Sequence, residues 1–126
     1  MQRLYKAWIA IWLTGERRYD MIRRATAAYL RPEKKEQYCS LHRAPWPEVL
    51  EEMTRRHHTR HSVYCAGNYL FQYLEYTGED FAADMEAMGR NPVMQRWWAL
   101  CRECVVPLPD FEGRAWTEME EIFHND

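Results

Sequence analysis

The apolar and polar positions divide the chain into short segments, many of them joined at proline or glycine. Residues 22–30 (Ile-Arg-Arg-Ala-Thr-Ala-Ala-Tyr-Leu) lack helical spacing and stop at the Arg31-Pro32 break, which predicts a strand. Proline suits the first helical position and acidic residues suit the first turn, so Pro32-Glu33 predicts a helix over 33–43. Pro45 ends or kinks it. Pro47 opens a continuation to about residue 56, with Val49, Leu50 and Met53 as its apolar stripe. Residues 61–65 and 69–76 are rich in strand formers and flank Ala66-Gly67-Asn68, which predicts a hairpin. Gly78-Glu79-Asp80 starts a helix to about residue 88. Asn91 as N-cap and Pro92 behind it start another to about residue 104. Residues 105–110 read as a proline-punctuated connector. Residues 116–123 read as a last strand, because Met119, Glu121 and Phe123 share one strand face.

The order is β-α-β-β-α-β, which predicts an α+β domain on the ferredoxin-like, split βαβ plan. The second hairpin arm carries Leu70, Leu74 and Tyr76 on one face and Tyr69, Phe71 and Tyr73 on the other. A strand apolar on both faces is covered on both sides. Helices supply one cover, and a chain of 126 residues has no spare strands for the other. Two copies packed sheet to sheet, a homodimer forming an α/β barrel, would supply it.

Charge narrows the partners. The chain carries 17 Lys and Arg against 19 Asp and Glu, mixed along its length. That balance leaves no electrostatic footprint for nucleic acid or for an acidic membrane. The apolar run at residues 4–13 is about half the roughly 20 residues a membrane span needs. Residues 14–18 offer no small-residue cleavage site, so no signal peptide is expected. Residues 1–20 read as an extension of the domain at 21–126. They are either a short helix docked on an apolar surface or an upstream addition, since Met21 would serve as a start. Cys39, Cys65, Cys101 and Cys104 show no secreted disulfide framework and read as reduced thiols of a cytoplasmic protein.

Tyr38 and His42 are four residues apart, so they share a helix face just before the Pro45 break. A phenol and an imidazole so placed can handle protons on a polar substrate; half-buried Tyr and His on amphipathic helices are also common core or surface residues. In Gln95-Arg96-Trp97-Trp98, adjacent residues point about 100° apart, so one Trp can pack while the other borders a cavity. Indole faces stack on sugars, although both rings can equally be core or interface. Cys101-Arg102-Glu103-Cys104 and His57-His58 match no standard zinc spacing, and the CxxC falls late in a helix, where a thioredoxin-like role fails. Gly-rich phosphate loops, a serine elbow and HExxH are absent. Imidazole, phenol, carboxylate and indole suit proton shuttling on a neutral polar substrate.

Several pieces together carry a resemblance. They are Met21-Ile22-Arg23-Arg24-Ala25, Glu36-Gln37-Tyr38 with His42, Trp46-Pro47-Glu48, Asn68-Tyr69-Leu70-Phe71, residues 92–98 ending in Gln-Arg-Trp-Trp, and Glu120-Glu121-Ile122-Phe123-His124. In this order and spacing the chain resembles the L-rhamnose mutarotase family over about residues 21–124. The resemblance implies a ferredoxin-like homodimer that interconverts sugar anomers with no metal or cofactor. It implies His42 as proton donor, Tyr38 as a substrate contact, and Trp97 and Trp98 as the tandem tryptophans lining the sugar site. One position departs. The family has a second substrate-contacting tyrosine fifteen residues after the Trp of Trp-Pro-Glu, and this chain has His61 there. An imidazole that titrates near neutral pH replaces a phenol.

The expected mechanism opens a cyclic hemiacetal, lets the C1–C2 bond rotate and closes the ring on the other face. His42 protonates the ring oxygen, Tyr38 orients the sugar or relays a proton, and His61 binds a hydroxyl or acts as the complementary base. Two rivals share the fold: a cofactor-free or haem-linked monooxygenase, and a non-catalytic ligand-binding dimer.

Overall fold

A computed structural model describes residues 21–126. The expected helix or extension at residues 1–20 lies outside the described residues. Strand β1 (Ile22–Leu30) ends at Arg31, and a 3-10 turn at Pro32–Lys34 leads into helix α1 (Lys35–Arg43). Proline at the start gives up an N–H that a helix leaves unpaired there anyway. Helix α2 (Pro47–Arg55) follows the Pro45 break. Strands β2 (His58–Ala66) and β3 (Tyr69–Tyr76) form the hairpin, whose turn takes Gly67 to φ +61°, a conformation open to glycine. Helix α3 (Phe81–Gly89) is capped by Asp80, which accepts from Ala83 N at 3.0 Å. Helix α4 (Pro92–Arg102) is capped by Asn91, which accepts from Val93 N at 2.9 Å.

The sheet is antiparallel, in the order β2-β3-β1 with two short strands, β4 (Val105–Val106) and β5 (Thr117–Met119), on the free edge of β1. Tyr29 and Leu30 pair with β4, and Ala25 to Ala27 pair with β5. The two pieces together make the fourth strand of the ferredoxin-like α+β plan. Here the structure corrects the sequence. Val105-Val106 is not connector but strand, and the strand expected over 116–123 shortens to Thr117–Met119. Pro107 and Pro109 cannot donate to a ladder, so β4 stops and the chain loops out before rejoining the edge. The first hairpin arm begins at His58, three positions earlier than its composition suggests, because it continues through a bulge between Thr59 and Ser62.

The even-numbered positions of β1 and β3 face the helices. At one end Ala28, Leu30 and Leu70 pack with Tyr38 of α1, Cys104 and Val105. At the other end Tyr76 meets Phe81 edge-on at 5.1 Å and His58 at 5.6 Å, while the Arg24 guanidinium lies 4.3 Å from the Phe81 ring centre. The Tyr76 hydroxyl donates to Asp84 and accepts from Asp80 N, which ties α3 to the sheet. A separate cluster of Val49, Met88, Met94 and Trp97 holds the helices to one another and contains no sheet residue. On the opposite face Tyr64, Tyr69, Phe71 and Met119 form an apolar surface with exposures of 64, 43, 37 and 39%.

Candidate active site

The helix-facing side of the sheet is closed at both ends and open in the middle. Ala28 and its β3 partner Leu70 are buried, as are Leu74 and Tyr76 toward the other end. Between them lies a row of paired residues, Thr26, Gln72 and Val63, and all three are only half-buried. The helices therefore leave a trough over this row.

His61 joins the floor by alternation, two positions before Val63 on the same strand face. Thr59 pairs with Glu75 and Ser62 with Tyr73, so one extra residue is inserted into β2. Arg60 takes φ +46° and turns to the far face, where its guanidinium meets Glu75 at 3.1 Å. The insertion is taken up at Arg60, so His58 and Thr59 rejoin the β3 register while His61 keeps the helix side. Nε2 of His61 is buried and makes no hydrogen bond. Burial holds this imidazole below its ordinary pKa. The neighbouring Gln72 side chain works the other way, and the charges of His58 and His42 add to the lowering.

His42 comes from above. The chain reverses at Arg31-Pro32, so α1 runs back along the sheet. Tyr38 packs over the Ala28–Leu70 row, and one helical turn advances about as far as two strand residues, roughly 6 Å. His42 thus comes over the next row, the open one. Its ring stacks on Tyr38 at 4.0 Å and 25°, and the Trp97 ring stands 5.3 Å away on another side. Trp46 supports Trp97 edge-on at 5.3 Å. Nδ1 of His42 lies 2.9 Å from the Tyr38 carbonyl oxygen. A carbonyl only accepts, so Nδ1 carries the proton and Nε2 of the neutral ring keeps its lone pair. Burial lowers the His42 pKa, partly offset by that carbonyl. Burial pushes the Tyr38 phenol well above its usual range, so it stays protonated.

The expected residues separate accordingly. His42, Tyr38 and Trp97 come together, and His61 lies close enough to feel the His42 charge. Trp98 turns aside to α3, with Cζ3 3.8 Å from where a Cβ on Gly89 would sit. Of the tandem pair, the ring beside the imidazole is Trp97. Gln72 was not singled out by the sequence, although an amide amid Leu70, Leu74 and Tyr76 on one strand face is a visible signal. Trp46 stood in a motif without a role of its own. The Cys101 thiol is pushed up to about 12 by burial, which suits an inert packing residue. No group of His, Cys, Asp and Glu suited to holding a metal occurs among the described residues. An open cleft of about 430 Å³ beside Thr54, His57, Arg60 and Thr77 includes none of the expected site residues.

The sequence model of the L-rhamnose mutarotase family matches residues 23–125. The chain belongs to this family. An L-rhamnose mutarotase of Phocaeicola vulgatus is 30% identical over 108 residues, covering 84% of this chain and all of that protein. One of Bacteroides thetaiotaomicron is 28% identical with the same coverage. The crystal structure of L-rhamnose mutarotase FA22100 from Formosa agariphila superposes with a TM-score of 0.65 at 20% identity, over 83% of this chain and 99% of that one. Membership makes the protein an isomerase that interconverts sugar anomers. The monooxygenase and binding-module readings are not favoured by these matches.

Proposed function

We propose that the protein interconverts the α and β anomers of L-rhamnose or a related 6-deoxyhexose, with His42 as the proton-transfer group. The observation that carries this reading is the His42 ring, fixed at Nδ1 by the Tyr38 carbonyl and flanked by Trp97. Opening the hemiacetal puts a proton on the ring oxygen and takes one from the anomeric hydroxyl; closing reverses both. The imidazolium of His42 delivers the first proton through Nε2. The neutral ring it leaves behind takes that proton back on closure. Because burial lowers its pKa, the imidazolium is a minor but strong acid at neutral pH. Neutral His61 is available as the second base or as a hydroxyl partner. Tyr38 is buried and stays protonated, so it orients His42 by stacking. Trp97, packed in the buried helix cluster, backs the His42 ring, while Trp98 turns toward α3. The sugar C–H face and 6-methyl group suit a site bordered by these indoles.

The apolar sheet face of Tyr64, Tyr69, Phe71 and Met119, with Ile122 and Phe123 exposed in the C-terminal tail, supports a homodimer packed sheet to sheet. Residues 1–20 are an addition to the catalytic domain. The cytoplasm is the working compartment, with all four thiols reduced. Among the described residues no helix is long and apolar enough to cross a membrane. One-dimensional saturation-transfer NMR across 6-deoxy and ordinary hexoses tests the function. Accelerated exchange of L-rhamnose anomers is expected, and exchange at the uncatalysed rate for every sugar contradicts it.

A further inference from the structure

We propose that Gln72 is a specificity-determining residue, which together with His61 reads one hydroxyl group of the sugar. The inference rests on the mutarotase reading of the trough and adds a residue to it. Three observations carry it. Gln72 is the one amide on the helix side of β3, where Leu70 and Leu74 are buried and aliphatic. It is half-buried at the centre of the sheet, between Thr26 on β1 and Val63 on β2, so its accessibility comes from the trough and not from an edge. Its side chain lies within hydrogen-bond reach of the His61 ring, and the buried Nε2 of that ring has no partner at full hydrogen-bond geometry.

A buried polar atom without a partner calls for a ligand or water to complete it. A sugar hydroxyl is donor and acceptor at once. It can donate to the lone pair of a neutral imidazole while accepting from an amide N–H, so amide and imidazole together saturate it. A phenol at position 61 reaches further and needs no such helper. The shorter imidazole leaves room that an amide on the next strand fills. The hydroxyl read is at C2, C3 or C4, because a 6-deoxyhexose has no other besides the anomeric one.

The test is a cycle between protein and sugar. Gln72→Leu removes the amide, and the 2-, 3- and 4-deoxy analogues of L-rhamnose each remove one hydroxyl. Anomer exchange is followed by saturation-transfer NMR as a function of sugar concentration. Gln72→Leu is expected to raise the apparent KM about tenfold or more and to leave the saturated rate within about twofold. For one analogue the wild type shows the same penalty, and Gln72→Leu adds nothing further to it. Gln72→Met, unbranched and of similar length, runs the same cycle where leucine disturbs the sheet. An unchanged KM, or penalties that simply multiply for all three analogues, overturns the proposal while His42→Asn still abolishes exchange. A wild type without exchange overturns the mutarotase reading itself.

Discussion

The rings of Tyr38 and His42 stack 4.0 Å apart, and the same tyrosine holds Nδ1 of His42 through its carbonyl oxygen at 2.9 Å. One residue thus fixes both the tilt of the imidazole and its tautomer. The phenolic oxygen takes no part in either. Tyr38→Phe is therefore expected to keep anomer exchange within about threefold of wild type. Tyr38→Leu loses the stack and falls about tenfold or more, as misplacement of a general acid does. Exchange rates from saturation transfer distinguish the two, and a Phe variant as impaired as the Leu variant assigns the phenol a direct proton-relay role.

His61 faces the helices by alternation with Val63, and the extra residue of β2 is Arg60. Deleting Arg60 restores regular alternation and leaves the imidazole on the helix side, opposite Leu74. The deletion also removes a non-glycine residue from φ +46° and breaks the Arg60–Glu75 pair. The expected outcome is a folded protein that still exchanges anomers with an apparent KM within about threefold of wild type. A KM raised about tenfold or more contradicts this facing of His61.

That bulge marks where the sequence stops being legible. The strand at Ile22–Leu30, the hairpin and the capped helices follow from Pro32, Pro47, Asp80, Asn91 and Pro92, which act locally. The start of β2 at His58 does not, because the inserted residue breaks the alternation that would link His58 to His61. The two-part edge strand was missed for a related reason: Val105-Val106 is too short to alternate, and only pairing with Tyr29 and Leu30 makes it a strand. His42, Tyr38 and Trp97 were legible because helical spacing and the family motif agree. Gln72 was hidden by its setting, since its partners lie on other strands.

Replacing His61 by tyrosine tests the departure from the family directly. His61→Tyr exchanges a titrating group for one that stays neutral. The ratio of apparent KM values for L-rhamnose and L-fucose is expected to move about tenfold. A ratio that does not move makes the histidine a neutral replacement.

Three histidines impose a pH dependence on stability. His42, His58 and His61 all have pKa values lowered from 6.5, in each case chiefly by burial. The unfolded chain binds protons at these positions more readily than the folded one. Stability is therefore full above about pH 6.5 and falls as the pH drops through the folded-state values. Thermal melts between pH 8 and 5 are expected to show a falling Tm below about 6.5. His61→Tyr is expected to flatten that fall, and an identical slope in the variant contradicts the assignment.

Glu52 is a buried carboxylate that holds α2 together at its end. Its two oxygens meet Arg55 and Arg56, the latter at 2.8 Å, and its exposure is 1%. Burial alone raises the carboxyl pKa, but the hydrogen bonds and charge of its partners outweigh it, and the net shift is downward. Both arginines keep access to water, so removing the carboxylate strands neither charge completely. Glu52→Ala is expected to cost about 1–3 kcal/mol in denaturant unfolding, with anomer exchange unchanged in the folded fraction. A loss below a few tenths makes the cluster a surface feature.

The measurement closest to the centre of the account is anomer exchange by His42→Asn. Asparagine preserves polarity and approximate size but neither gives nor takes a proton near neutral pH. Saturation transfer between the α and β H1 signals of L-rhamnose is expected to fall at least about 100-fold toward the uncatalysed rate, with the melting temperature close to wild type. Exchange that persists at the wild-type rate in the folded variant removes His42 from the chemistry, and the proton-transfer mechanism with it.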